Sequence, residues 1–147
     1  MVLVPWLLTG WDLEDPFPGW VALRVVGAVL VVLGAAVVLE SFARFALEGI
    51  GTPAPVAPTE HLVVGGLYRY VRNPIYVADA VIIVGQALLF GRLWLLLYAA
   101  AFLAVTAAFV HWYEEPTLIR QFGAEYEAYR RAVPGWWPRA GAWTPSK

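Results

Sequence analysis

The stretch from Gly66 to Tyr76 holds the residues best suited to chemistry, because two arginines, three tyrosines and an Asn-Pro pair stand there directly before a long apolar segment. Asn73 followed by Pro74 predicts an N-cap and the first residue of a helix. Such a helix start presents free backbone N–H groups and a partial positive charge, which favour a carboxylate or a phosphate. Arg72 adds paired donors for the same anion. We therefore predict an anion site here; the alternative is that Arg72 binds lipid phosphate and Asn73 is only a cap.

A second candidate group is the pair of adjacent carboxylates at Glu114 and Glu115, which follows another apolar segment. Carboxylates at a membrane boundary are costly when desolvated, so at least one should face a cation, a polar ligand or water. With Tyr68, Tyr70 and Tyr76 they predict anionic and aromatic walls, which attract ammonium or sulfonium groups. A ligand with a carboxylate at one end and cationic centres elsewhere fits both halves. S-adenosylmethionine is such a ligand, although charge matching alone does not select it.

Asp79 is a third candidate, since it follows Tyr76 by three residues inside an apolar segment. Helical periodicity places Gln86 on the same face, which we expect to point into a bundle. An acidic group inside a membrane segment is a functional candidate by default. The alternative is that Asp79 is protonated or reaches the interface.

Metal chemistry is not predicted. His111 precedes the two glutamates by three and four residues, a spacing that resembles a metal-ligand pattern. The chain has only one other histidine, His61, and no cysteine. The absence of cysteine also excludes disulfides and a thiol nucleophile, and no nucleic-acid motif or long basic run is present.

The composition indicates that the bilayer is the solvent of this chain. Hydrophobic residues make up 61% of its 147 residues, charged residues only 14%, and the mean hydropathy is +0.65. Segments 20–39, 74–90 and 93–113 match or approach the length of about 20 residues that a spanning helix needs. Segment 2–10 is too short to span, and we interpret it as an interfacial or partly inserted helix, or as the remainder of a longer first helix.

Charge distribution sets the predicted orientation. Acidic residues precede the first span, whereas arginines follow the first and the third. By the positive-inside rule, the 40–73 loop and the C-terminal tail are cytoplasmic. We expect an integral protein of the inner or plasma membrane whose site faces the cytoplasm.

The elements around the spans complete the predicted architecture. Glu40 and Arg44 are spaced to pair on a first helix that continues to about Leu47, and Gly91-Arg92 predicts a tight hairpin between the last two spans. The loop 49–73 carries the site residues, and 116–133 predicts one amphipathic capping helix. The fold class is thus an all-α integral membrane protein, a single domain over 1–147. It contains a small bundle of three full or near-full spans, a short N-terminal apolar segment and a cytoplasmic amphipathic C-terminal helix.

The ordered motifs resemble the isoprenylcysteine carboxyl methyltransferase family, and the related membrane phospholipid methyltransferases share the outline. The resemblance covers roughly residues 50–138: the stretch from Glu60 to Tyr76, the apolar hairpin, the glutamate pair, and the Leu, Phe-Gly, Tyr and Val-Pro positions after it. It implies an integral membrane enzyme that uses S-adenosylmethionine without a Rossmann domain, covered by the C-terminal helix. Residues at the family's cofactor positions are Glu60, His61, Leu62, Val63, Tyr68, Asn73, Pro74, Ile75, Tyr76 and Glu114.

Two positions depart from that family. Asn73 stands where the eukaryotic enzymes have histidine, a change that backbone binding tolerates. Val110 stands where those enzymes place an arginine associated with the prenylcysteine substrate. The resemblance therefore supports the methyl donor better than the methyl acceptor.

The functional hypothesis is S-adenosylmethionine-dependent methyl transfer to a lipophilic acceptor. That acceptor is a prenylcysteine-like carboxylate, a phospholipid amine or another small hydrophobic molecule. Catalysis would rest mainly on positioning; Asp79 or Glu115 accepts a proton from an amine, or Arg72 orients a carboxylate. The alternatives are an NADPH-dependent membrane reductase and a non-catalytic membrane scaffold or binding protein. Membrane lipids and a lipophilic or lipidated substrate are the expected partners, without nucleic acid; an oligomer is compatible but has no direct support.

Overall fold

The computed structural model describes residues 3–10, 12–49 and 61–144, and every regular element in these ranges is helical. The α-helices are α1 (Leu3–Thr9), α2 (Val21–Arg44), α3 (Pro74–Phe90), α4 (Leu95–Phe109), α5 (Glu115–Phe122) and α6 (Ala124–Ala132). Two π-helical turns, Phe45–Gly49 and Val110–Glu114, and one 3₁₀ turn, Gly66–Arg69, complete the set. The all-α prediction is confirmed for the described part of the chain.

Two continuous helical runs are long and apolar enough to cross a membrane. They are Val21–Glu48 and Leu95–Phe122, each 28 residues long. The first bears out the expectation that the helix continues beyond residue 39, and its predicted Glu40–Arg44 ion pair is formed at 2.9 Å. α3 is apolar but has only 17 residues. Its start at Pro74 and its end before Gly91 agree with the predicted segment.

The predicted single helix over 116–133 is wrong in two respects. It is not separated from the span before it, because α4, a π-helical turn and α5 form one run in which Pro116 lies. A proline lacks an N–H donor and crowds the preceding turn, and the wider turn before it relieves that crowding. The helix is also broken at Gly123, where φ is +54° and ψ is −127°. This backbone conformation is easy only for glycine.

The described chain forms two compact units, each built from two stretches. The first unit comprises the described residues of Met1–Ala36 and Tyr76–Thr106, and the second comprises those of Val37–Ile75 and Ala107–Lys147. In the first unit, α2 and α3 approach closely through glycines. A methyl group on Gly27 would lie 2.6 Å from the Gly85 carbonyl oxygen, and one on Gly85 would lie 2.8 Å from that of Gly27. Small residues allow such backbone approach in membrane helices.

The other side of α3 packs on α4, as the predicted hairpin requires. Ile83 and Ala87 of α3 form a buried cluster with Leu95 and Ala99 of α4. An apolar cluster of the first unit thus lies between α3 and α4.

The carbonyl end of α3 is capped by donors from the segment before α2 and from its first turn. The three hydrogen bonds run from Trp20 Nε1 to the Leu88 carbonyl at 2.8 Å, from Arg24 Nε to that of Leu89 at 3.0 Å, and from the Glu14 N–H to that of Phe90 at 2.9 Å. The last carbonyl groups of a helix have no partner within it. Arg24, which interrupts the first apolar segment, therefore serves to satisfy the end of another helix.

Candidate functional site

The second unit brings together four polar side chains, which we call the arginine–carboxylate cluster: Arg72, Glu115, Tyr126 and Arg130. Arg72 lies just before α3, and Glu115 is the first residue of α5. Tyr126 and Arg130 are four residues apart on α6 and therefore share one face of that helix. Three separate parts of the sequence thus meet at one point.

Arg72 is the centre of this cluster. Its Nη1 donates to Glu115 Oε1 and, at 3.2 Å, to the Tyr126 hydroxyl, while its Nε donates to the Val133 carbonyl at 2.9 Å. Arg130 Nη2 lies 3.2 Å from the other oxygen, Oε2, of Glu115. The side chains of Arg72 and Glu115 are only 14% and 10% exposed. The two groups that sequence analysis assigned separate catalytic roles are therefore ion-pair partners, and those roles stay predictions.

The cluster carries a net positive charge, since one carboxylate stands between two arginines. Burial lowers the pKa of the Arg72 guanidinium, but the hydrogen bond of Glu115, the interaction with Tyr126 and the charge of Glu115 together more than offset this, and the net pKa is raised. Burial raises the pKa of the Tyr126 phenol, which stays protonated at neutral pH. The charge of Glu114 also reaches Tyr126, so the preference for an anion is confined to the side of the cluster that Arg72 forms.

Next to the cluster, Asn73 offers a donor that is not used within the structure. Asn73 is 8% exposed, its N–H donates to the Gly135 carbonyl at 3.1 Å, and its Nδ2 has no hydrogen-bond partner among the described residues. A methyl group on Gly135 would lie 3.2 Å from Arg72 Nη2 and 3.4 Å from Asn73 Nδ2. Glycine thus leaves two donors uncovered. A buried donor without an acceptor is costly, so this place suits a ligand oxygen.

A C-terminal strap, residues 133–143, forms one wall of this site. It runs along residues 69–73 through backbone hydrogen bonds: Arg72 N–H to Pro134, Arg139 N–H to Tyr70 and Trp143 N–H to Arg69, at 2.9, 3.0 and 3.0 Å. Sequence analysis assigned the covering role to a helix. The structure adds this irregular segment beyond α6, which supplies the Gly135 backbone beside Asn73.

The predicted cofactor residues before the 3₁₀ turn have different environments. Glu60 lies outside the described residues. His61 is exposed, and Val63 is buried. Leu62 packs against an aromatic cluster that contains Tyr126 and Tyr129. This segment therefore lies beside α6.

Tyr68 is buried and braces the turn. Its backbone carbonyl accepts a hydrogen bond from the Tyr129 hydroxyl at 2.7 Å, and its ring meets that of Phe45 edge-on at 5.5 Å. Burial raises the pKa of both tyrosine phenols. Tyr68 is a packed residue in this conformation, and its cofactor role stays a prediction.

The remaining predicted residues divide between the units. Pro74 and Ile75 open α3 in the second unit, and Glu114 is half-buried in the π-helical turn before α5. Tyr76 and Asp79 belong to the first unit. Asp79 is buried there, as is Gln86 on the same helix.

Sequence analysis missed three residues that shape the site: Tyr126, Arg130 and Gly135. Tyr126 and Arg130 lie in the predicted amphipathic helix 116–133, whose pattern suggested no contact with Arg72. The available signal was their spacing of four residues on one helix. Within 3–10, 12–49 and 61–144, no group of three or more histidine, aspartate or glutamate side chains is arranged to hold a metal ion.

Comparison with known families decides the relationship. The family model described as phospholipid methyltransferase matches residues 22–125, more than half of the chain. The chain belongs to the phospholipid methyltransferase family. This agrees with the predicted relationship to membrane methyltransferases and, with the two apolar helical runs, indicates a membrane protein. No curated protein and no solved structure was found to match it. The matched range contains Arg72 and Glu115, so the ion pair is built from residues within the family region.

Proposed function

We propose that this phospholipid methyltransferase family member transfers a methyl group from S-adenosylmethionine to a lipophilic acceptor at the cytoplasmic face of a membrane. The single observation that carries the proposal is the buried Asn73 Nδ2 beside Gly135, which has no hydrogen-bond partner among the described residues. Family membership supplies the reaction class. In this proposal α3 is a third, near-full span, and the C-terminal helices and strap lie on the cytoplasmic side.

The residues present fit the proposed cofactor. Its carboxylate would accept from Asn73 Nδ2 and lie beside Arg72, where Gly135 leaves room. Glu114 would place negative charge near the cationic part of the same molecule. When bound, the cofactor supplies a methyl group on a positively charged sulfur, which is already activated for transfer.

The protein's contribution to catalysis would be positioning and proton transfer. The acceptor atom would take the methyl group that the cofactor supplies, and the electron pair of the broken C–S bond would stay on sulfur. An amine acceptor loses its proton to a carboxylate, for which Asp79 and Glu115 are the candidates. Both oxygens of Glu115 contact arginines, whereas Asp79 belongs to the first unit. A carboxylate acceptor needs no base, and Arg72 would orient it.

The deciding experiment is calorimetric titration of the detergent-purified protein with S-adenosylmethionine. We expect Gly135→Ala to weaken binding at least tenfold, because the added methyl group covers both donors. Gly141→Ala is the matched control, since a methyl group there meets nothing within 4 Å. Glu114→Gln and Tyr76→Phe, titrated in the same way, test the residues predicted to attract the cationic part of the cofactor.

The outcomes separate the proposal from its rivals. Equal affinity of Gly135→Ala and wild type for S-adenosylmethionine would refute binding of its carboxylate at Asn73. If NADPH binds and S-adenosylmethionine does not, the reductase hypothesis replaces this one. If neither binds to folded, monodisperse protein, a scaffold or binding role is favoured.

A further inference from the structure

Two buried polar side chains of α3 have oxygen atoms that nothing in the described structure satisfies. Asp79 is 7% exposed and Gln86 is 5% exposed. Neither Asp79 Oδ1 nor Gln86 Oε1 has a hydrogen-bond partner among the described residues. Both belong to the first unit, whereas the residues of the arginine–carboxylate cluster belong to the second.

These two residues share one strip of α3. A spacing of seven residues is nearly two turns, so their side chains leave the helix in almost the same direction, about 10 Å apart along its axis. The neighbouring residues show what flanks the strip. Ile82 meets α2, since a methyl group on Gly34 would lie 2.6 Å from its Cγ1, whereas Ile83 packs in the cluster with α4. The strip therefore runs between the α2-facing and α4-facing sides of α3, inside the first unit.

An acceptor oxygen held in apolar surroundings without a donor is costly. A carboxylate and an amide oxygen are both acceptors, and the ligand groups that satisfy them are N–H and O–H. A ligand carboxylate would bring further acceptors and repulsion from Asp79. Among the methyl-acceptor classes that the sequence left open, the two oxygens thus favour a group with N–H or O–H donors over a carboxylate.

We infer that Asp79 and Gln86 form the polar part of a buried site for a lipophile whose polar end donates hydrogen bonds, an amine or an alcohol and not a carboxylate. Asp79 contacts the polar end. Gln86 lies two turns further along α3 and contacts a different part of the same molecule. That this lipophile is the methyl acceptor rests on the proposed function; the binding site itself does not.

The test uses the full chain in lipid nanodiscs and three probes with the same twelve-carbon chain. Dodecylamine carries N–H donors, dodecyltrimethylammonium carries the charge without a donor, and dodecanoate carries only acceptors. Saturable binding is measured by tryptophan fluorescence for the wild type, Asp79→Asn and Gln86→Met. Asp12→Asn is the matched control, because Asp12 is an exposed aspartate of the same unit. S-adenosylmethionine titration of every variant runs in parallel.

We expect the wild type to bind dodecylamine at least tenfold more tightly than the other two probes. Asp79→Asn should remove most of this preference, while Asp12→Asn should leave it intact. Gln86→Met should weaken dodecylamine binding and yet raise the thermal unfolding midpoint, because it removes an unsatisfied buried oxygen. This combination of greater stability and weaker binding distinguishes a ligand site from a structural role.

Three results would overturn the inference. One is equal binding of the amine and trimethylammonium probes, which would indicate attraction by charge alone. Another is unchanged binding in both variants, which would indicate that internal water satisfies the two oxygens. The third is a preference for dodecanoate. Loss of S-adenosylmethionine binding in all proteins, with the amine preference retained, would refute the proposed cofactor and leave this site standing.

Discussion

Removal of the Glu115 carboxylate should be among the most destabilising single changes in the second unit. Glu115 and Arg72 are 10% and 14% exposed, so their charges are largely withdrawn from water and compensate each other. Glu115→Ala leaves the Arg72 guanidinium buried beside no carboxylate. Breaking one partner of a buried pair costs about 3–5 kcal/mol.

The contacts in the structure narrow that range. Arg72 keeps the Val133 carbonyl and the Tyr126 hydroxyl as acceptors after the change, so we expect a loss near the lower limit, about 3 kcal/mol. Arg130 is 43% exposed and pairs with Glu115 at 3.2 Å. Its contact resembles a surface pair, and Arg130→Ala should cost no more than about 1 kcal/mol.

The assay is equilibrium unfolding in mixed detergent micelles, followed by tryptophan fluorescence, with Glu125→Ala on the exposed side of α6 as the control. We expect Glu115→Ala to lower the free energy of unfolding much more than Arg130→Ala does, and Glu125→Ala to lower it least. In the double variant with Arg72→Ala, the second change should cost far less than in wild type, because the stranded charge is gone. A cost below about 1 kcal/mol for Glu115→Ala, or full additivity with Arg72→Ala, would refute the buried ion pair.

Three further changes test how the elements are held. Gly123→Ala should lower the free energy of unfolding by about 1–3 kcal/mol through backbone strain alone, because its φ is +54° and a methyl group there meets no neighbour. An unchanged free energy of unfolding would contradict the break between α5 and α6. Tyr129→Phe should cost about 1–2 kcal/mol, since the Tyr68 carbonyl loses its 2.7 Å donor, and faster amide exchange around Tyr68 should accompany it. Gly85→Val should lower the free energy of unfolding by about 1–3 kcal/mol, because the larger side chain forces α3 away from α2 at Gly27. An unchanged thermal unfolding midpoint would show that the two helices are not in close contact.

Local physics explains why much of the fold was predictable. A proline at the first helical position and a glycine after the last one set the bounds of α3, and these preferences depend only on neighbouring residues. The apolar character of α2 and α4 follows from composition. The break at Gly123 was missed because a glycine within an amphipathic pattern is compatible with a continuous helix and with a break, and local sequence does not choose between them.

The sequence by itself determined that this is a helical membrane protein with polar residues concentrated before α3 and after α4, because hydropathy and charge are properties of the chain. It also pointed to Arg72, Asn73 and Glu115 as chemically active types. Only the tertiary structure decided that Glu115 pairs with Arg72, 43 residues away, and that Gly135 lies beside Asn73. The two adjacent glutamates have the same chemistry, and the direction in which each side chain leaves the helical run at its π-helical turn selects the one that meets the arginine. Local preferences do not encode which glutamate meets Arg72, because Arg72 and Glu115 come from distant parts of the sequence.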